Sequence, residues 1–343
     1  MKDYVGLDVS MKETAISIRR AGERVWRGKC VSDPKRIAQI VRKHAPNAAR
    51  VIFETGPLSV WFYHALKAEG LPVICIDARH AKAALNMAAN KTDANDAAGL
   101  AHLAEVGFYR EVRVKGFDSM LARSLVAART KLVRITVELS NQIRGLMKTF
   151  GLIVPAGKGR TFETNVRRLL ADQGDLSNIL LPVLEAWCDM RTRAAEMTKM
   201  LLALARQCRA CRLLMTIPGV GAITATSFAT AIEDPSNFKN SRSVGAWLGL
   251  TTRRYQSGEV DYNGRISRRG DRHLRGLLYE AALVILTRSK VKSDLQTWAL
   301  KLKERVGMKR AAVALARKLA VTMHAMLKTG FVFNPIAQQP MAT

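Results

Sequence analysis

Four carboxylates are the residues whose types and spacing could do chemistry. Asp8 lies in an apolar run, where an unpaired carboxylate is costly to desolvate, and Glu54 ends the run Val51-Ile52-Phe53. Asp93 and Asp96 are three residues apart at the predicted start of a helix, so both project from one face. Clustered carboxylates repel one another unless cations neutralise them, and oxygen-only ligands suit Mg²⁺ or Mn²⁺. The four acids predict a two-ion centre acting on a phosphodiester.

A basic segment from Thr251 to Arg275 supplies arginines and hydroxyls suited to the same substrate class. It holds seven arginines against three acids, interleaved with Tyr255 and Tyr262. A serine there could attack a phosphate while arginines neutralise the developing charge. The serines that residue type alone leaves open are Ser241, Ser243, Ser257 and Ser267. The arginines predicted to bind nucleic-acid phosphates are Arg253, Arg254, Arg265, Arg268, Arg269, Arg272 and Arg275.

Two glycines form a weaker signal. The segment Ile217-Pro-Gly-Val-Gly-Ala-Ile-Thr-Ala225 resembles the turn of helix-hairpin-helix modules. In those modules glycine lets backbone N–H groups approach a DNA phosphate at the start of a helix. Gly219 and Gly221 are therefore predicted to bind nucleic acid.

The charge balance favours a polyanionic partner. Among 343 residues, 55 Lys and Arg oppose 28 Asp and Glu, a net charge of +27. Residues 206–343 carry 23 basic and 8 acidic side chains, a net +15, so we expect the tightest phosphate binding there. An anionic membrane is a weaker partner, because the cations are not gathered on one amphipathic helix and no apolar run is long enough to span a bilayer. The five cysteines are typical of a reducing compartment, so we expect a cytoplasmic bacterial protein, nucleoid-associated during its reaction.

The elements that must position these residues divide the chain into three parts. Residues 1–115 read as strands at 4–10, 14–19, 24–31, 50–53 and 72–77, with helices at 33–43, 60–69 and from 78 onward. Three strands in a row, then strands alternating with helices, is the order of an RNase H-like α/β domain. Residues 116–205 read as a long helical coiled-coil stalk, with leucines and isoleucines at spacings of three, four and seven. Residues 206–343 read as mostly α-helical, interrupted between 251 and 270.

Several motifs together carry a family resemblance. The chain resembles the insertion-sequence 110 family of transposases, most closely its 1111 subgroup, and is similar to Piv-type DNA invertases. The motifs run over nearly the whole chain, and the paired aspartates and the Gly264 block are the most specific. They are Gly6-Leu-Asp-Val-Ser, Phe53-Glu-Thr-Gly, Lys91-Thr-Asp-Ala-Asn-Asp-Ala, Ile217-Pro-Gly-Val-Gly, Ala246-Trp-Leu-Gly-Leu, Ser257-Gly and Gly264-Arg-Ile-Ser-Arg-Arg-Gly-Asp-Arg-His-Leu-Arg.

The resemblance implies a RuvC-like N-terminal domain whose Asp-Glu-Asp-Asp tetrad is Asp8, Glu54, Asp93 and Asp96. It implies a C-terminal transposase domain in which Ser257 attacks DNA and forms a covalent phosphoserine. It also implies donor and target DNA as substrates, a structured noncoding bridge RNA as guide, Mg²⁺ as cofactor, and a homo-oligomer built as a dimer of dimers.

Two other function classes stay open. A RuvC-like nuclease acting on branched DNA through water would not need Ser257. A non-catalytic nucleic-acid-binding relative would not need metal, and the intact set of four acids disfavours it.

Overall fold

The computed structural model describes residues 1–85 and 92–336, so Lys91 of the paired-aspartate motif lies outside the described residues. The chain forms two compact units, Met1–Gly116 and Phe117–Thr343. The first is a mixed α/β unit and the second is mostly helical.

The first unit contains a five-stranded sheet. Its strands are β1 (Asp3–Val9), β2 (Glu13–Arg20), β3 (Glu23–Val31), β4 (Ala48–Glu54) and β5 (Val73–Ile76). The order across the sheet is β3-β2-β1-β4-β5, with β1, β2 and β3 antiparallel and β1, β4 and β5 parallel. The predicted order of strands and helices is confirmed.

Four helices among the described residues complete this unit. They are α1 (Pro34–His44), α2 (Ser59–Ala68), α3 (Ala78–Leu85) and α4 (Asp93–Val106). Asp33 caps α1 by accepting a hydrogen bond from the Arg36 backbone N at 3.0 Å, and Pro34 fits the first turn, where an N–H has no helical partner. Thr92 caps α4 in the same way, through the Asn95 backbone N at 3.2 Å.

The two faces of the sheet bury different helices. Val5 and Leu7 of β1 are fully buried in the apolar cluster shared with α1 and α2. Because side chains alternate along a strand, Gly6 and Asp8 point to the other face. There α4 packs, with Leu100, Leu103 and Ala104 against Ile52 of β4 and Ile76 of β5, as an apolar cluster over the sheet.

The second unit begins with two long helices. They are α5 (Phe117–Thr149) and α7 (Gly174–Gln207), with α6 (Arg160–Leu170) between them. Arg129 near the start of α5 donates to the Thr198 hydroxyl near the end of α7 at 3.1 Å, and the far ends share a core containing Ile143 and Leu184. The two helices are therefore antiparallel within one chain. Two leucines of the apolar repeat predicted for residues 116–205, Leu121 and Leu146, are exposed in α5.

The rest of the second unit is a helical core with one hairpin. Its helices are α8 (Arg209–Leu214), α9 (Ala222–Ile232), α10 (Arg242–Trp247), α11 (Arg272–Thr287), α12 (Asp294–Val306) and α13 (Met308–Thr329). The predicted interruption folds as an antiparallel hairpin, β6 (Thr252–Ser257) with β7 (Val260–Ile266). Thr252, Tyr255, Val260, Tyr262 and Ile266 are β-branched or aromatic residues, which favour strands.

In the described part of the chain, helices long and apolar enough to cross a membrane are absent.

Gly6 determines how closely α4 approaches β1. A Cβ at Gly6 would overlap the Ala101 backbone N and the Ala97 carbonyl of α4. We predict that Gly6→Ala destabilises the protein by about 1–3 kcal/mol, since backbone atoms cannot move aside cheaply. The measurement is urea unfolding followed by circular dichroism. Gly56→Ala is the control, because a Cβ there meets no atom within 4 Å. Equal stability of the two variants would show that α4 does not rest on Gly6.

Candidate functional site

Asp8 and Glu54 lie side by side at the carboxyl ends of two neighbouring parallel strands. Leu7 pairs with Phe53, so the next residue of each strand continues the same register. Neighbouring strands are about 4.8 Å apart. Gly6 and Ile52 face α4. Asp8 and Glu54 each lie two residues further along the same strand, so their side chains point to the same face.

Asp93 and Asp96 open the helix that covers this face. Both lie in the first turn of α4, where negative charge favours the helix N-terminus. The contact of Gly6 with Ala97 and Ala101 fixes that turn near the carboxyl end of β1. The fold thus places the four predicted acids at one end of one sheet face.

Lys29 of β3 reaches into this group of acids. Asp8 pairs with Ala15, which pairs with Lys29, so Lys29 belongs to the same transverse row and points to the same face. Its Nζ donates to the Asp93 carboxylate at 2.8 Å and lies 3.9 Å from Glu13. The hydrogen bond to Asp93, then the charges of Asp93, Glu13 and Asp8, raise the pKa of Lys29. Lys29 is a functional candidate that residue type and spacing alone do not reveal.

The donor chemistry of the four acids fits Mg²⁺, because every ligand is a carboxylate oxygen. In the side-chain arrangement of the described residues, however, no group of three or more His, Cys, Asp or Glu is positioned to hold a metal ion. Asp93 is engaged by Lys29 instead. The Lys29 ammonium group contacts one of the two carboxylate oxygens of Asp93.

Ser257 lies at the end of β6, beside the tight turn of the hairpin. Its backbone pairs with Val260, and Gly258 in the turn has φ of +55°, which glycine adopts without strain. Ser257 is exposed, and within the described chain its hydroxyl makes no hydrogen bond. An unengaged hydroxyl on a basic hairpin is accessible to a phosphate.

The other candidate serines are differently placed. The Ser243 hydroxyl donates to the Asn240 carbonyl at 2.6 Å, and Ser267 is half-buried at the base of the hairpin. Ser241 lies 2.9 Å from Nδ1 of fully buried His324, whose Nε2 lies 3.1 Å from the Pro235 carbonyl. Because Nε2–H donates to that carbonyl, Nδ1 accepts from Ser241. Burial lowers the pKa of His324, so a neutral base faces this hydroxyl.

The predicted phosphate-binding arginines divide by what they contact. Arg254 forms a two-pronged ion pair with Asp261 at 2.8 and 2.5 Å, and Arg253 donates to the Ser267 carbonyl at 3.2 Å. Arg275 donates through Nη1 to the carbonyls of Leu248, Arg269 and Gly270, at 3.1, 2.7 and 3.1 Å. The other four of these seven arginines are exposed, and within the described residues their side chains form neither an ion pair nor a hydrogen bond: Arg265, Arg268, Arg269 and Arg272.

Gly219 has a packing role that the motif alone did not reveal. It adopts φ of +84°, and a Cβ there would lie 2.9 Å from the Ala281 carbonyl of α11. Gly221 precedes the first turn of α9, and a Cβ on it would meet nothing within 4 Å. Of these two glycines, Gly219 is therefore required by the packing on α11, whereas Gly221 has no such packing requirement.

Comparison with known proteins gives the family. The family model DEDD_Tnp_IS110, described as "Transposase", matches residues 5–151, and the model for "Transposase IS116/IS110/IS902 family" matches residues 211–297. The "Transposase for insertion sequence element IS1111A" of Coxiella burnetii is 32% identical over 271 residues, covering 78% of this chain and 74% of the relative. The chain belongs to the IS110 family of transposases.

Two further relatives agree with this assignment. The "Probable family 20 transposase" of Pseudomonas aeruginosa is 31% identical, covering 72% of this chain and 75% of its own length. The "Pilin gene-inverting protein" of Moraxella bovis is 34% identical over 74 residues, covering 21% of this chain and 23% of its own length. An IS110 family transposase acts on DNA, and the family's DEDD domain suggests a divalent metal.

Arg275 and Arg272, one turn of α11 apart, provide a matched pair of variants. We predict that Arg275→Gln lowers the free energy of unfolding by about 1–2 kcal/mol, because three carbonyls, among them that of buried Leu248, lose their shared donor. Arg272→Gln, on an exposed side chain, leaves stability unchanged and weakens DNA binding. Thermal unfolding and fluorescence anisotropy with labelled duplex DNA measure the two effects. An Arg275 variant of normal stability would assign that residue to the nucleic acid instead.

Proposed function

We propose that the protein is an insertion-sequence transposase that cuts and rejoins DNA through Ser257, with a divalent metal held by Asp8, Glu54, Asp93 and Asp96. The observation that carries the proposal is the placement of these four acids at one end of one sheet face. The exposed hydroxyl of Ser257, at the tip of a hairpin that carries three arginines, supports it.

The strand order β3-β2-β1-β4-β5 supports assigning the first unit to the RNase H-like, RuvC-like folds. Within the proposal the chain divides into this domain at 1–115, a helical stalk at 116–205 and a transposase domain at 206–343. The antiparallel pair of α5 and α7 supports the helical stalk. The proposal further includes coiled-coil pairing of this stalk and assembly of the protein as a dimer of dimers.

Ser257 performs the strand transfer. Its Oγ loses a proton and bonds to the scissile phosphorus, while the bond from phosphorus to the leaving deoxyribose oxygen breaks and that oxygen is protonated. The phosphoserine conserves the bond energy, so a second strand's hydroxyl can displace Ser257 without a high-energy cofactor. Asp8, Glu54, Asp93 and Asp96 would hold Mg²⁺, which when bound would supply charge stabilisation for phosphoryl transfer. Arg253 and Arg265, at the base of the same hairpin, would bind phosphates further along the strand that Ser257 attacks.

Guidance by a structured noncoding bridge RNA is the second part of the proposal. The net charge of +27 exceeds what solubility requires and suits both RNA and DNA as partners. Base pairing between this RNA and the DNA would select the donor and target sites.

Loss of one acid should abolish activity without unfolding the protein. We predict that Asp93→Asn and Asp96→Asn each remove most strand cleavage, because each deletes a negative ligand of a shared ion site. Thermal stability should change little, since the Lys29–Asp93 pair is exposed and such pairs contribute about 0–1 kcal/mol. Cleavage is measured on labelled donor DNA with Mg²⁺ and in chelator. Activity that survives chelator would contradict the metal mechanism.

Ser257→Ala separates a transposase from a nuclease. Wild type, incubated with guide RNA, labelled donor and target DNA and Mg²⁺, should give a protein-sized labelled band on denaturing gels. The variant should give neither that band nor recombinant DNA, while its DNA affinity stays within about twofold.

Ser241→Ala and Ser267→Ala are the matched controls and should keep the labelled band. Cleavage by Ser257→Ala at the wild-type rate would assign the attack to water and favour a nuclease. Loss of the band only in Ser241→Ala would assign the nucleophile to the Ser241–His324 pair.

A further inference from the structure

A basic groove in the second unit lies between the base of the β6–β7 hairpin and α13. It has a volume of about 1250 Å³. Seven of its lining side chains are cations and none is a carboxylate. The seven, named here the groove cations, are Arg242, Arg265, Arg268, Lys309, Arg310, Arg317 and Lys318. Throughout the described ranges none of them forms an ion pair with Asp or Glu, so the groove concentrates uncompensated positive charge.

Two of the cations are placed where the fold itself disfavours them. Lys309 and Arg310 lie in the first turn of α13, which has no acidic residue to offset them. A helix N-terminus carries partial positive charge, so cations there oppose the helix dipole. The cost to stability indicates an anionic ligand.

The groove also holds its cations in a defined position. Lys309 and Arg317 are eight residues apart, about two turns and 12 Å along one face of α13. A Cβ on Gly245 of α10 would lie 3.0 Å from Arg317 Cγ, so glycine lets the stem of Arg317 lie against α10. Twelve ångströms is roughly the rise of three to four steps of a B-form strand.

The groove offers little aromatic surface for stacking bases. Trp298 is its one aromatic lining residue among the described side chains, and the Lys318 Nζ covers that ring at 4.3 Å from the centroid. Single-strand binders that grip bases combine a basic channel with exposed aromatic platforms. In this groove the cations outnumber the one aromatic ring by seven to one, so the groove is better suited to phosphates than to bases.

We propose that this groove binds the sugar–phosphate backbone of a nucleic acid without reading its sequence. The inference deepens the proposed function, since it gives the DNA or RNA a path, but it does not depend on Ser257 being the nucleophile. From Thr252 in the groove to Ser257 at the hairpin end is about 17 Å of β-strand. With Ser257 as the nucleophile of the proposed function, the groove would begin on the order of five nucleotides from the scissile phosphate.

The test compares two four-residue variants of the full chain. The groove variant is Lys309→Gln, Arg310→Gln, Arg317→Gln and Lys318→Gln. The control variant removes the same charges from exposed positions outside the groove, with Arg288→Gln, Lys303→Gln, Arg305→Gln and Lys328→Gln. Fluorescence anisotropy measures binding to a labelled random-sequence DNA duplex and to a labelled structured RNA over a range of salt concentrations.

We expect the groove variant to bind at least tenfold more weakly at moderate salt. Its plot of log affinity against log salt should be less steep by about three to four for duplex DNA, because up to four phosphate contacts are lost. The control should stay within about threefold. Whether the groove variant loses affinity for the DNA duplex, for the RNA or for both identifies which nucleic acid the groove binds. Equal weakening of DNA and RNA binding in the two variants would overturn the proposal. It would also be overturned if the wild-type protein bound two duplexes of unrelated sequence with affinities that differ tenfold.

Thermal unfolding provides a second readout. The groove variant should melt at the wild-type temperature or higher, since it loses cations at a helix N-terminus. The control should melt lower, because Lys303, Arg305 and Lys328 lie in the last turns of helices, where cations stabilise. If the groove variant unfolds, the double variant Lys309→Gln, Arg310→Gln repeats the binding test.

Ser257→Ala, measured alongside, separates the two proposals. Unchanged binding by Ser257→Ala with weak binding by the groove variant supports the groove whatever the nucleophile is. Normal binding by the groove variant with no cleavage by Ser257→Ala would refute the groove and leave the proposed function standing.

Discussion

The close packing of α4 on β1 at Gly6 is the contact on which the first unit's chemistry depends. Without a side chain at this position the helix backbone approaches the strand directly, and its first turn is fixed near the carboxyl end of β1. Two acids from strands and two from a helix, distant in sequence, reach one end of the sheet. Any residue larger than glycine at position 6 would move half of the carboxylates away from the other half.

Most of the first unit could be predicted from sequence because its signals are local. Alternation marks the strands, Asp33-Pro34 marks a helix start, and an acid ends β1 and another β4. Lys29 could not be predicted, because its place beside Asp8 follows only from the pairing of β3 with β2 and of β2 with β1. The role of Gly219 likewise depends on α11, some 60 residues later in the chain.

The second unit was harder to predict because its polar residues act over long distances. Sequence grouped seven arginines by proximity, yet Arg275 binds three carbonyls and Arg254 binds Asp261. The groove cations come from α10, the hairpin and α13, and only the packed structure brings them together. The repeat of basic pairs at 309–310 and 317–318, two helical turns apart, was the one sequence signal that pointed there.

The hairpin that carries Ser257 is a two-stranded sheet whose β6 side chains are all exposed. A two-stranded hairpin is marginally stable on its own, and here the Tyr255–Tyr262 stack and the Arg254–Asp261 pair provide its cross-strand contacts. Its formed population therefore scales the apparent affinity for any substrate that requires it.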